Sequence, residues 1–255
     1  MIRAGWVVLL CLGGCGAGLR AADIAVAAAA DLKFALDELV AEFRTHEPTY
    51  RVRVTYGSSG NFFAQLHNRA PFDLFLSADI DYPRRLVDAG HALEDRVFLY
   101  AVGRLVLWTS QASLDVEQLG SRSLLAPSVR RIAIANPRHA PYGVAAVAAL
   151  KSLDAFETAE PKLVYGENIA QAAHFVQSGA ADLGVLALSL ALAPPLREAG
   201  RHWEIPMEAY PRMEQGGIVL KWTKEAVAAR AFRDFVLGAP GRAVLDRYGF
   251  LLPDP

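Results

Sequence analysis

The stretch IAVAAAADLKFALDELVAEF, residues 24–43, contains two hydrophobic patterns in succession. Ile24 to Ala28 is a short apolar run of the kind that forms a buried strand, and Asp31 then begins a segment with helical spacing. The apolar residues of that segment are Leu32, Leu36, Leu39, Val40 and Phe43. The stretch therefore predicts a strand that leads directly into a helix, which is the repeating unit of α/β proteins.

The same alternation of strands and helices continues to the C-terminus. Further strands are predicted at 51–56, 73–78, 105–108, 132–135, 163–165, 183–188 and 217–221, with helices between them and at 226–237. This pattern predicts an α/β fold in which mostly parallel sheets are flanked by helices. A chain of 255 residues without a flexible linker favours two lobes joined by crossing strands, near residues 100–104 and 210–217.

The charge balance argues against nucleic acid as a partner. The formal net charge is -1, with 26 Lys and Arg against 27 Asp and Glu. The basic residues are scattered and form no stripe of the kind that neutralises a phosphate backbone. We therefore expect a different kind of ligand.

The first 22 residues predict an export signal. Arg3 supplies the positive start and residues 6–12 supply the apolar core. Cleavage after Ala22 would place Arg20 three residues upstream, where a small residue is preferred. The alternative is the segment Leu-Gly-Gly-Cys that ends at Cys15, which resembles a lipobox with this cysteine as the lipidated first residue. Both alternatives predict an exported protein.

The mature chain is predicted to lack cysteine chemistry and to be water-soluble. Both cysteines, Cys11 and Cys15, lie in the predicted signal, so neither a disulfide framework nor a thiolate metal site is expected. The apolar run at 183–195 is too short to span a bilayer.

Four turns share one arrangement, in which a predicted strand ends in a polar or glycine-containing turn and a helix begins directly after it. They are Ala30-Asp31, Gly57-Ser58-Ser59-Gly60, Ala140-Pro141-Tyr142-Gly143 and Gly166-Glu167-Asn168-Ile169. Helix starts leave backbone N–H groups unpaired and carry about +0.5 of an elementary charge, so several that converge form an anion site. Ser, Asp and Asn at such positions are also ordinary N-caps. Ser58 and Ser59 stand out because capping uses one hydroxyl and leaves another free.

Enzyme chemistry finds little support in the same residues. Gly57-Ser58-Ser59-Gly60-Asn61 lacks the G-x-S-x-G spacing of a nucleophile elbow, and the chain has no Walker loop, G-x-G-x-x-G or H-E-x-x-H motif. The six histidines are spread singly, and only His139 adjoins one of the four turns. We interpret His139 as a surface or supporting residue rather than a base. A secreted hydrolase that uses Ser58 or Ser59 remains a remote alternative.

From Asp23 to the C-terminus the chain resembles the periplasmic molybdate-binding proteins, the type II two-lobed receptors of molybdate ABC importers. The motifs that carry this resemblance are residues 27–32, 57–60, 70–79, 137–143, 166–169 and 241–250. The expected fold is α/β with two lobes, each a mostly parallel sheet flanked by helices, and a ligand cleft between them. We assign residues 23–102 plus 211–255 to lobe I and 103–210 to lobe II.

The resemblance implies a periplasmic monomer that closes on molybdate or tungstate and docks on an inner-membrane ABC permease. It implies no cofactor, no cation site and no covalent step. The oxyanion would be held at Asp31, by Ser59, and by the backbone at Tyr142 and Ile169, which belong to the four turns described above. We add Ser58 to this ligand-binding set. The residues expected at its periphery are Ala30, Gly60, Asn168 and Ala187.

Two positions depart from the family pattern. Many members have a hydroxyl or amide residue where Asp31 stands, and many have a ligand-contacting tyrosine where Ala187 stands. Tyr142, from a neighbouring turn, could supply the missing hydroxyl or aromatic wall. Asp31 is the harder case, because a carboxylate about 5 Å from a dianion is repelled by on the order of several kcal/mol at an effective dielectric near 20.

Two hypotheses reconcile Asp31 with an anion site. In the favoured one, its side chain turns aside to cap its own helix and only its backbone N–H faces the ligand. In the other, Asp31 accepts a hydrogen bond from a protonated oxyanion such as hydrogen phosphate or hydrogen arsenate. The second hypothesis would change the cargo. A receptor for phosphate, arsenate, sulfate or a small organic acid, and a sensory rather than transport role, therefore stay open as alternatives.

Overall fold

The computed structural model describes residues 22–253. The predicted signal covers residues 1–22, of which residues 1–21, with the lipobox at Cys15, lie outside the described residues. Ala22 is the first residue of a strand and pairs with Tyr50.

The strands of the described chain form two five-stranded sheets. The strands are β1 (Ala22–Ala29), β2 (Tyr50–Gly57), β3 (Leu74–Ser77), β4 (Phe98–Gly103), β5 (Leu105–Thr109), β6 (Ile132–Ala135), β7 (Leu163–Gly166), β8 (Leu183–Ala187), β9 (Arg201–Glu204) and β10 (Met213–Val219). The strand order is β2-β1-β3-β10-β4 in the first sheet and β7-β6-β8-β5-β9 in the second. In each sheet four strands share one direction, and a single strand, β10 or β5, is antiparallel to its neighbours.

Helices flank both sheets. They are α1 (Lys33–His46), α2 (Ser59–His67), α3 (Asp81–Asp88), α4 (Val116–Leu119), α5 (Pro141–Ser152), α6 (Phe156–Ala159), α7 (Ile169–Gln177), α8 (Leu188–Ala191), α9 (Pro194–Arg197), α10 (Ala226–Leu237) and α11 (Ala239–Arg247). Short 3-10 turns occupy Ala30–Leu32, Gly120–Leu125, Glu160–Lys162 and Met207–Ala209. Within residues 22–253, none of these helices combines the length and apolar character that a membrane crossing requires.

Each sheet has its own hydrophobic core, which defines two lobes. In the first lobe, Leu36, Leu39 and Phe43 of α1 are buried against the sheet. The Phe43 ring packs edge-on against Phe232 of α10, with the ring centroids 5.0 Å apart. Burial of such side chains stabilises a lobe by about 1.5–3 kcal/mol each. In the second lobe, the fully buried Trp108 lies at the centre of the corresponding core.

The chain crosses between the sheets at two adjacent places. Arg104 alone separates β4 of the first sheet from β5 of the second, and the return crossing runs from β9 to β10. The backbone N–H of Leu105 donates to the hydroxyl of Tyr210 over 3.0 Å, and Arg104 pairs with Glu204. These contacts fasten the two crossing segments together.

The predicted α/β class is confirmed, and the opening stretch does form a strand and a helix, joined by a 3-10 turn. The predicted strand at 217–221 was placed too late, since β10 begins at Met213. Gly216 and Gly217 resemble strand breakers in the sequence. In the structure Gly217 packs so tightly that a Cβ there would lie 2.5 Å from the carbonyl oxygen of Phe75. Strand β4 overlaps the crossing strand expected near residues 100–104, whereas β9 was not predicted.

Candidate functional site

A small cavity lies between the two lobes. All four predicted turns contribute to its lining, together with Ala29 at the end of β1 and Ala78 after β3. The residues from the turns are Ala30, Asp31, Gly57, Ser58, Ser59, Ala140, Pro141, Tyr142, Asn168 and Ile169. The structure thus brings together every residue of the predicted ligand-binding set. Of the peripheral candidates, Ala30 and Asn168 line the cavity, whereas Gly60 and Ala187 do not. Ala187 is buried in β8, paired with Leu105.

The start of α7 offers one backbone donor to the cavity. Asn168 is the N-cap, and its side-chain oxygen accepts from the N–H groups of Ala170 and Gln171, both at 3.0 Å. The N–H of Ile169, at the first helical position, has no partner inside the helix. Asn168 therefore orders the turn through its side chain and leaves Ile169 as the donor.

The start of α5 likewise leaves one backbone N–H group available to the cavity. Pro141 has no N–H, and the N–H of Gly143 bonds to the carbonyl oxygen of Ala140 over 2.9 Å. The remaining donor of this first turn that faces the cavity is the N–H of Tyr142. The sequence A-P-Y-G thus removes the competing donors on either side of Tyr142.

The start of α2 contributes hydroxyl groups. The N–H of Ala78 donates to Ser59 Oγ over 3.0 Å. Because this bond uses a lone pair of Ser59, the hydroxyl proton remains free to donate to an anion. The Ser58 side chain does not cap the helix, contrary to the expectation that one of the two hydroxyls would. Its Oγ lies instead 2.9 Å from His139 Nδ1.

Contacts across the cleft hold the two lobes together beside the cavity. The N–H of Gly60 donates to the carbonyl oxygen of His139 over 2.9 Å. Asn61 Nδ2 donates to Glu167 Oε1 over 2.6 Å. Gly60 therefore contacts the opposite lobe, and any side chain would interfere, because a Cβ there would lie 2.6 Å from the same oxygen of His139. His139 therefore joins the second lobe to the first through Ser58 and Gly60.

The side chain of Asp31 makes its hydrogen bond with strand β10. The residues at the cap positions of this turn and of α1, Ala29 and Leu32, provide no side-chain cap. Gln215 Nε2 instead donates to Asp31 Oδ2 over 2.7 Å, and the same amide nitrogen lies 3.2 Å from the hydroxyl of Tyr142. Asp31 is 1% exposed, and its Oδ1 has no hydrogen-bond partner. The partner of this buried carboxyl is therefore a neutral amide and not a cation.

The electrostatics of Asp31 follow from this burial. Burial raises the pKa of Asp31 from 3.8 to about 6, although the amide of Gln215, the hydroxyl of Tyr142 and the backbone N–H groups of Asp31 and Leu32 act in the opposite direction. Burial, together with the charge of Asp31, also raises the pKa values of Tyr142 and Tyr100 well above 10. Both tyrosines are thus neutral hydroxyls at any physiological pH.

Gln215 is the residue of this site that sequence reasoning missed. It lies in β10 and is fully buried, in a strand that was predicted to begin two residues later. Gly103 makes room for it, because a Cβ at Gly103 would lie 2.4 Å from the Tyr142 hydroxyl and 2.7 Å from Gln215 Nε2. Its neighbours Glu214 and Gly216 form no apolar pattern that would mark a buried position, and its partner is distant in sequence.

The site is built to receive a small anion. Among the described residues that line the cavity, none is a lysine or an arginine. The donors are the Ser59 hydroxyl and helix-start N–H groups, which are suited to oxyanions. A cleft of this kind between two α/β lobes defines the molecule as a solute receptor.

Comparison with known proteins gives the family. Residues 24–251 match the model of the bacterial extracellular solute-binding proteins, and the chain belongs to this family. It is 35% identical over 250 residues to the molybdate-binding protein ModA of Rhodobacter capsulatus, covering 98% of this chain and 96% of that one. It is also 35% identical to ModA of Azotobacter vinelandii, covering 92% and 94%.

A solved structure agrees with the fold. The periplasmic molybdate-binding protein of Azotobacter vinelandii superposes with a TM-score of 0.84 at 33% identity, over 91% of this chain and 100% of that one. The predicted two-lobed class of periplasmic binding proteins is thereby confirmed.

Proposed function

We propose that this protein is an extracytoplasmic receptor that binds molybdate or tungstate and delivers it to an ABC permease in the inner membrane. The observation that carries the proposal is the meeting of four helix-start turns at one small cavity between the lobes. The names of the relatives that are 35% identical over nearly the whole chain support the choice of molybdate.

The donor set suits an anion that must be both held and released. Ser59 offers a hydroxyl proton, and Tyr142 and Ile169 offer backbone N–H groups at helix starts. Each hydrogen bond to a charged group contributes about 1.5–3 kcal/mol, so a handful of donors binds a small dianion firmly. Because the donors are neutral, release to a permease does not require the separation of an ion pair.

The rival cargoes are sulfate, phosphate, arsenate and small organic acids. The cavity size favours a compact tetrahedral ion over an organic acid. We expect isothermal titration calorimetry to give the tightest binding for molybdate or tungstate. Tightest binding of hydrogen phosphate or hydrogen arsenate would instead support Asp31 as an acceptor for a ligand proton and would refute the proposed cargo.

Ser59 is the side chain to test first. Ser59→Ala should weaken molybdate binding by about tenfold or more, the equivalent of one lost charge-assisted hydrogen bond. Ser123→Ala is a matched control, because Ser123 is also a fully buried serine but its hydroxyl has no partner and it does not line the cavity. Equal affinities for the two variants would remove Ser59 from the site.

A hydrolase is the second candidate, since Ser58 Oγ lies 2.9 Å from His139 Nδ1. We propose that this pair is not catalytic. Ser58 belongs to the first lobe and His139 to the second, so the pair separates whenever the lobes open to admit a ligand. The other ring nitrogen of His139 is 3.8 Å from Glu167, beyond hydrogen-bond reach. A fluorophosphonate probe should leave the protein unlabelled, whereas labelling at Ser58 would favour the hydrolase.

The division of the chain into lobes follows the two sheets. We propose a monomer whose lobe I comprises residues 23–102 plus 211–255 and whose lobe II comprises 103–210. The membership of β4 and β10 in the first sheet, and of β5 to β9 in the second, supports this division. The pairing of Val102 with Leu251 supports the assignment of the C-terminal segment to lobe I. Chromatography with light scattering would test the monomer.

A further inference from the structure

We propose that the binding of a dianionic oxyanion takes up one proton from solvent, and that Asp31 is the group that accepts it. The inference rests on the proposed function and concerns how the same cavity tolerates a second negative group. The step forms one O–H bond on the Asp31 carboxylate and consumes one solvent proton. No other bond changes.

The first support is the placement of the carboxyl. Asp31 lines the cavity, is 1% exposed, and receives its hydrogen bond from the neutral amide of Gln215. Its Oδ1 is buried without a partner. A buried carboxylate oxygen without a donor is costly, and protonation of the carboxyl removes its buried charge. The geometry is therefore better suited to a carboxylic acid than to a carboxylate.

The second support is the absence of a compensating charge from the groups that pack around Asp31. The hydroxyls of Tyr142 and Tyr100 face it and are neutral. Of the helices packed on its turn, α1 contributes Lys33, which pairs with Asp37, and α7 contributes His174, which is exposed. Helix α8 contributes Ser189, whose hydroxyl donates to the backbone oxygen of Asp31 over 2.8 Å. A dianion that enters the cavity therefore meets the Asp31 charge unscreened, unless a proton neutralises it.

The consequence is a measurable pH dependence. The pKa of Asp31 is about 6 before binding, and a nearby dianion raises it further because like charges disfavour ionisation. Between these two pKa values, each binding event takes up a proton, and the affinity falls about tenfold per pH unit as the pH rises. Below pH 6 the carboxyl is already protonated before the anion binds. The affinity then no longer depends on pH through Asp31.

The test is calorimetry of molybdate binding at about pH 7 and about pH 8, each in two buffers of different ionisation enthalpy, which yields the number of protons taken up. We expect wild-type protein to take up close to one proton. Asp31→Asn should bind molybdate with no uptake and with an affinity that does not depend on pH. Wild-type binding without proton uptake, or unchanged uptake in Asp31→Asn, would overturn the inference.

Asp79→Asn is the matched control. Burial also raises the pKa of Asp79, but this residue lies outside the cavity lining. The variant should retain the full proton uptake, and loss of uptake in Asp79→Asn alone would transfer the role away from Asp31. Infrared difference spectra of wild-type protein give a second readout that needs no variant, since a protonated-carboxyl band should appear when molybdate is added. Failure of any oxyanion to bind wild-type protein would instead refute the proposed function itself.

Discussion

Gln215 Nε2 donates to Asp31 Oδ2 over 2.7 Å, although the two residues are 184 positions apart in the chain. Asp31 belongs to the first strand-to-helix turn, and Gln215 belongs to β10, the strand that follows the second crossing between the lobes. The hydrogen bond thus ties the wall of the cavity to the segment about which the lobes are joined. It is also the main polar contact of a carboxyl that faces an anion site.

The stability of the unliganded protein should respond to Asp31→Asn in a pH-dependent manner. Because folding raises the pKa of Asp31 from 3.8 to about 6, its contribution to stability is complete below about pH 3.8 and is lost as the pH rises through about 6. At pH 8, Asp31→Asn should therefore raise the free energy of unfolding by up to about 3 kcal/mol, with little gain near pH 4. Urea denaturation at both pH values measures this, and an equal effect at both would contradict it.

Gln215→Leu should destabilise the protein, and more so at high pH. The substitution removes the Gln215 amide, which is the donor to Asp31 Oδ2. The expected loss is about 1–3 kcal/mol at pH 8, where the carboxyl is charged, and less at pH 5. Urea denaturation again gives the values. A loss that is the same at pH 5 and pH 8 would indicate a packing defect and not the loss of a charge-assisted hydrogen bond.

Gly60→Ala should impair lobe closure while the lobes remain folded. The new Cβ would lie 2.6 Å from the carbonyl oxygen of His139 in the opposite lobe. We expect molybdate affinity to fall by about tenfold or more, with an unchanged or higher melting temperature, since alanine is the better residue inside α2. Small-angle scattering should show that ligand compacts wild-type protein but not the variant. Normal affinity with normal compaction would show that this contact is dispensable.

Asn168→Ala should act through the start of α7. The side chain caps two N–H groups, so its removal should cost about 1 kcal/mol of stability. Molybdate affinity should fall as well, because the turn that presents the Ile169 N–H is then less ordered. His174→Ala changes an exposed residue further along the same helix and leaves the cap intact, so it should affect stability less. Equal losses in the two variants would argue against the capping role.

Local patterns were sufficient to predict the class of fold and the four turns. A strand, a polar turn and a helix in immediate succession place each turn at the carboxyl edge of a sheet, where helix starts in parallel sheets converge. The four turns could therefore be selected without knowledge of the packing. The choice of Asp31, Ser59, Tyr142 and Ile169 within them came from the resemblance to the molybdate-binding proteins.

The polar contacts behind those turns could not be predicted, because they depend on the register of distant segments. Gln215 reaches Asp31 only because β10 pairs with β3 and β4 in a particular register, with a bulge between Gln215 and Gly216. His139 reaches Ser58 only when the lobes close. Neither contact is marked in the sequence by a hydrophobic period or by the spacing of a motif.

The most direct test of the account is a crystal structure of the protein with molybdate, with anomalous scattering measured at the molybdenum edge. The account predicts one strong peak in the cavity, within hydrogen-bonding contact of Ser59 and of the backbone N–H groups of Tyr142 and Ile169. The absence of a peak there, or a peak confined to the larger cleft beside Asp79 and Arg212, would contradict it.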